Sequence, residues 1–205
     1  MLTVIDISNP RSPSIVGSYA DERYDRAADV AVKGGYAYVT SLRKSQVAVI
    51  DVSQRSGPRL VTTVSRPGLN GLSVIKVVGE SAYLTTEESR GLVVMDLSER
   101  ASPRVVSQVN SSGVLRGARA VAVNNETAFV AADSSHSLIV LALTGAGNPT
   151  VTGVVKSASD IRRPYAVEYS DGQLFITSQE AGTLTIVERE TTNSSTANSN
   201  RSSIS

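Results

Sequence analysis

Asp6, Asp51 and Asp96 stand 45 residues apart. Carboxylates repeated at a fixed interval could ligate a cation or share protons, if the fold brought equivalent positions to one axis. The fourth equivalent position is Ala142, which breaks such a ring. Short aspartate side chains readily accept backbone N–H groups at turns, and a turn cap is the reading that survives. The run Asp133-Ser134-Ser135-His136-Ser137 has the D-x-S-x-S spacing that can offer a carboxylate and hydroxyls to a cation. It falls where a hairpin is expected, without the helix that should follow such a motif, and it reads as a chance match. His136 is the single histidine and cysteine is absent. A cluster of His ligands, a Ser–His pair elsewhere, thiolate ligands and a thiol nucleophile are therefore excluded. No phosphate-cradling glycine loop, nucleophile elbow or zinc-protease motif occurs, so no cofactor and no metal are expected.

Five arginines form the remaining constellation: Arg26, Arg116, Arg119, Arg162 and Arg163. Arg pairs bidentately with carboxylates and phosphates, so guanidinium groups gathered from several loops could clasp an anion. Asp25, Asp29 and Asp160 lie among them, and the competing reading is an exposed rim of mutually screened charges.

Composition narrows the partners. Twenty basic residues against 19 acidic ones leave no bulk field for nucleic acid, and nucleic-acid binding is not expected. No apolar run approaches the roughly 20 residues needed to cross a bilayer, so no membrane insertion is expected. Met1 leads directly into a strand-like segment without the zones of a signal peptide. Asn110, Asn125, Asn193 and Asn200 each begin an N-x-Ser/Thr sequon, which a chain rich in Ser and Asn produces by accident.

The elements that must position these residues are declared by repetition. Leu2, Val47, Leu92, Leu138 and Leu184 begin related phrases at intervals of 45, 45, 46 and 46 residues. A second phrase keeps the same beat through Val30, Ile75, Val121 and Val167. Each unit reads as four short strands, A (DVAV-like), B (YAYV-like), C (TVIDI-like) and D (SIVGS-like), with Gly, Pro, Asn and Asp between them. In Leu2-Thr3-Val4-Ile5 and Val47-Ala48-Val49-Ile50 both parities are apolar, so both faces must be covered. No segment offers an amphipathic helix, so other sheets must cover them. The expected fold is all-β: a β-propeller of four-stranded blades over residues 1–190, about four blades, as part of a larger or incompletely closed ring. Five C strands against four each of A, B and D motivate the open ring. Residues 191–205, of which 12 of 15 are Ser, Thr or Asn, are expected to form a disordered tail.

The phrases V-I-D-(I/V)-S-x-x-x-x-P-x-(I/L)-V at 4–16 and 49–61, with D-V-A-V-x-G-x-Y-A-Y-V at 29–39, resemble LVIVD-type propeller repeats. YVTS and SDGQLFIT are also similar to YVTN-type surface propellers. The resemblance implies a β-propeller and an exported or cell-surface setting, without implying one activity. In such a fold the D–A loops, the longest and least repetitive, collect near the axis where strand A lies innermost. The expected function is a non-catalytic binding or scaffolding module engaging a protein, or an anionic small molecule or glycan, through that face. Self-association through open blade edges is a further expectation. The alternative is a propeller-type hydrolase with a metal over the central channel.

Overall fold

The computed structural model describes residues 1–22, 25–143 and 148–188; the expected tail at 191–205 lies outside them. Seventeen strands fall into five antiparallel sheets among these residues. The first is the pair β1 (Leu2–Asp6) and β2 (Ser14–Tyr19). Three complete sheets follow. They are β3 (Ala27–Lys33) to β6 (Arg59–Ser65) through β4 (Tyr36–Ser41) and β5 (Gln46–Asp51); β7 (Leu72–Val78) to β10 (Arg104–Asn110) through β8 (Ser81–Thr86) and β9 (Gly91–Asp96); and β11 (Ala118–Asn124) to β14 (Thr150–Val155) through β12 (Thr127–Ala132) and β13 (Ser137–Ala142). The last has three strands, β15 (Pro164–Ser170), β16 (Gln173–Ser178) and β17 (Thr183–Glu188). Helix among the described elements is limited to one 3-10 turn, Asp133–Ser135.

Successive sheets stack face to face, each pair sharing one apolar layer. Ala37, Val39, Ala48 and Ile50 meet Leu2 and Tyr19 of the first sheet. Tyr38, Val47 and Val49 meet Ala82, Leu84, Val93 and Met95. Leu92 and Tyr83 meet Val130, Ile139 and Leu141, while Leu138 meets Val167, Leu174 and Ile176. The double-sided apolar strands thus have cover on both faces, as their sequence requires. Strands β3, β7, β11 and β15 are innermost and touch in sequence. A charged bond between Lys76 Nζ and Glu168 Oε1, at 2.8 Å, joins β7 to β15. The ring is not closed: β1–β2 and β15–β17 remain separate sheets.

Two irregularities recur with the repeat. In strand D, Val16, Val61, Val106 and Thr152 are skipped by the ladder. At the leading end of strand A the register also slips, leaving Arg119 and Tyr165 unpaired and Ser73 within the equivalent slip. A bulge turns a side chain away from the regular pleat and leaves backbone groups free of the ladder.

Candidate binding site at the axial mouth

The turns hold the repeated aspartates as caps. Asp6 Oδ1 accepts the N–H of Ser8 at 2.9 Å, Asp51 Oδ1 that of Ser53 at 3.0 Å and Asp96 Oδ1 that of Ser98 at 2.9 Å. Asp51 and Asp96 also pair with Arg59 and Arg104. The D-x-S-x-S run is spent on its own hairpin and on the two neighbouring D–A loops. Ser135 Oγ donates to Val114 O at 2.7 Å and lies 2.7 Å from Ser137 Oγ, and Asp133 Oδ2 takes Arg163 Nη2 at 3.2 Å. His136 has φ 51°, as Ser45, Arg90 and Gly182 have φ 54°, 56° and 66° at the equivalent places. Its position is a backbone one shared by every B–C hairpin. Among the described residues no group of three or more His, Cys, Asp or Glu gathers to hold a metal.

The strand-A bulges build the axial site. Ala28, Asp29, Leu42, Ser73, Val74, Glu87, Arg119, Ala120, Tyr165 and Ala166 line a cavity of about 360 Å³, drawn from all four units that contain strand A. Three of its residues form a charged and aromatic patch. The Arg119 guanidinium carbon lies 4.2 Å from the Tyr165 ring centroid, a cation–π contact. Its Nη2 donates to the Tyr165 hydroxyl at 3.2 Å, and its Nη1 meets Glu87 Oε1 at 3.3 Å. Asp29 is fixed by the backbone: Oδ2 accepts the N–H of Ile75 at 2.9 Å.

Threonine hydroxyls support this rim across sheet boundaries. Thr40 Oγ1 accepts the N–H of Asp29 at 3.0 Å and donates to Ser73 O of the next sheet at 2.9 Å. Thr85 Oγ1 repeats the device, accepting from Val74 N at 3.1 Å and donating to Arg119 O at 3.0 Å. The carbonyls they bind are those of the slipped strand-A residues.

The five candidate arginines do not all share this cavity. Arg119 lines it. Arg26 lines a separate cleft with Met1, Asp21, Glu22, Asp25 and Lys44, beside the first sheet. Arg116 is exposed, with its carbonyl accepting Ser135 N at 3.1 Å. Arg162 pairs with Glu180, and Arg163 is bidentate on Asp133, whose hydrogen bonds raise the guanidinium pKa further. The aspartates among them are engaged elsewhere: Asp25 with Arg43, Asp29 with Ile75 N, and Asp160 with the hydroxyls of Ser157 and Ser159. Those hydroxyls hold the Asp160 carboxyl below its ordinary range. Arg26 and Arg163 have φ 53° and 50°, where the equivalent residues Gly71 and Gly117 both have φ 72°. Tyr165 and Glu87 escaped the sequence reading, because a bulge and a neighbouring hairpin bring them to Arg119.

The LVIVD repeat model matches residues 1–21, 26–65 and 73–111. No curated protein matches the chain. Among solved structures, the Pseudomonas aeruginosa periplasmic gluconolactonase is similar at TM-score 0.76 and 16% identity, over 93% of this chain and 60% of that one. A proposed 6-phosphogluconolactonase from Bacteroides fragilis gives 0.74 and 12%, over 92% and 60%. The Myceliophteria thermophila Cps50 (Swd1) β-propeller domain gives 0.70 and 11%, over 92% and 64%. The chain spans under two thirds of each of these structures. At such identities the likeness is one of fold.

Proposed function

We propose, for a chain that carries LVIVD repeats on a β-propeller scaffold, a non-catalytic binding or scaffolding role exercised through the D–A loop face. One observation carries this reading: four innermost strands bring their leading ends to one cavity, and register slips turn Arg119 and Tyr165 out of the ladder there. Beside Glu87, which already pairs with Nη1, the stacked Arg119 guanidinium and Tyr165 phenol offer further N–H donors and a hydroxyl to a carboxylate-bearing partner, whether a protein or an acidic glycan. Arg116, exposed in the adjoining loop, would add a second cation.

Binding to arrays of acidic glycans and acidic peptides tests it. Anionic spots should retain the wild-type chain and release it as salt rises. Arg119→Ala combined with Arg116→Ala should weaken retention by about tenfold or more. Retention unchanged in that double variant would move the interface away from this face. A second reading, a lactone hydrolase, draws support from two similar structures that bear gluconolactonase names. A stoichiometric divalent ion in the purified protein, together with lactone hydrolysis, would favour it.

A further inference from the structure

The two end sheets expose apolar side chains at positions that pack between sheets elsewhere in the chain. At the two central boundaries the same strand positions face the following sheet and are buried, Val47 and Val49, then Leu92 and Val94; in the β11–β14 sheet Leu138 is buried and Val140 half-buried. Their equivalents in the last sheet are Leu184 and Ile186, which are 63% and 52% exposed. The strand-B hydroxyl that bridges to the next sheet at Thr40 and Thr85 is replaced by Ala131 in the β11–β14 sheet and returns as Thr177 in the last. Thr177 is exposed, and its hydroxyl, unlike those of Thr40 and Thr85, bridges to no other sheet among the described residues. The last sheet therefore repeats the outgoing side of a sheet boundary, side chains and hydroxyl included, with nothing described against it.

The first sheet repeats the incoming side. Ile50, Met95 and Leu141 are buried against the preceding sheet, and their equivalent Ile5 is 52% exposed. Leu60 packs towards the first sheet and Val105 towards the β3–β6 sheet; their equivalent Ile15 is 72% exposed. Outgoing and incoming faces pack together at every internal boundary among the described residues, which leave one of each uncovered.

We propose that a second copy of this chain docks head to tail, with Leu184, Ile186 and Thr177 of one copy against Ile5 and Ile15 of the next. The contact continues the sheet-on-sheet packing already built within the chain. It is heterologous, so each dimer still presents both faces and assembly proceeds beyond two copies unless the rotation closes.

Sedimentation velocity of the 205-residue chain over a wide concentration range tests this. The wild type should show concentration-dependent dimers and larger species. Leu184→Asp with Ile186→Asp removes one face, and Ile5→Asp with Ile15→Asp removes the other. All four side chains are more than half exposed, so both variants should keep the strand signature in circular dichroism. Thr177→Lys provides a milder block of the outgoing face. Each double variant alone should be monomeric. An equimolar mixture of the two should form a dimer and nothing larger, because each variant retains the face that the other lacks. A wild type monomeric throughout, self-assembly that survives in either variant, or a mixture that stays monomeric would overturn the proposal.

Discussion

Asp51 shows what a repeated residue contributes. Its carboxylate accepts the N–H and the hydroxyl of Ser53, at 3.0 and 2.6 Å, and two guanidinium donors of Arg59. The Ser53 bonds, with Arg59 behind them, hold its pKa at about 2, and the same Asx geometry lowers Asp6 and Asp96. A depressed carboxylate stabilises the fold above its unfolded pKa of about 3.9 and loses that contribution as pH falls through its folded value. Asp51→Asn keeps an acceptor at the turn and removes the charge. The urea midpoint of the wild type should exceed that of the variant by a constant margin at neutral pH, and the margin should shrink between about pH 4 and pH 2. A gap that widens on acidification would mean that the carboxylate is worth more protonated than ionised. The sequence exposed these three caps plainly, through their spacing and the alanine that replaces the fourth. It hid the position held by Arg26, Gly71, Gly117 and Arg163. That residue type changes from blade to blade while the positive φ does not. A Cβ at Gly117 would meet Ser134 N at 2.6 Å, whereas two arginines are accommodated at the equivalent place. Backbone geometry of that kind leaves no fixed letter in the chain.

At the scale of elements, apolar layers stack the sheets, and at the two central boundaries a threonine hydroxyl ties one sheet to the next. Thr40 is fully buried and satisfies groups from two sheets, Asp29 N and Ser73 O. Thr40→Val preserves the shape and leaves both groups without their partner. Stranded buried polar groups cost about 1–3 kcal/mol, which should appear as a lower denaturation midpoint with unchanged slope. Thr177→Val changes the equivalent hydroxyl where nothing described receives it. At dilutions that keep the chain monomeric, its midpoint should match that of the wild type. Equal effects from the two substitutions would place the value of Thr40 in its own strand and not at the boundary. Strands, turns and period were legible because alternation and Gly-bearing hairpins are local signals. The axial patch was half legible. Arg119 stood out as a loop arginine, but its contacts with Glu87 and Tyr165 span 32 and 46 residues. Such pairings are set by how many sheets stand between two residues and by a register slip that no single segment announces.

The five described sheets have two unlike outer faces, and stability should fall from the central sheets outwards. In such arrays each unit contributes its own stability and that of the boundaries it shares. The interior sheets share two boundaries each, so β9 is buried from Gly91 to Met95 and β13 is buried at Ser137, Leu138, Ile139 and Leu141. The end sheets share one. No residue of β1 or β17 is fully buried. Amide hydrogen exchange should therefore be slowest in β8, β9, β12 and β13, with opening free energies near the global value. In β1 and β17 it should be fastest, through local opening that depends little on denaturant. Raising the protein concentration should slow exchange in the two end sheets alone, β1–β2 and β15–β17, if copies join through them, because only there does association bury new surface. Equal protection across all five sheets at low concentration would mean that the boundaries are too strong for the ends to open separately. The open stack would then unfold as a single cooperative body.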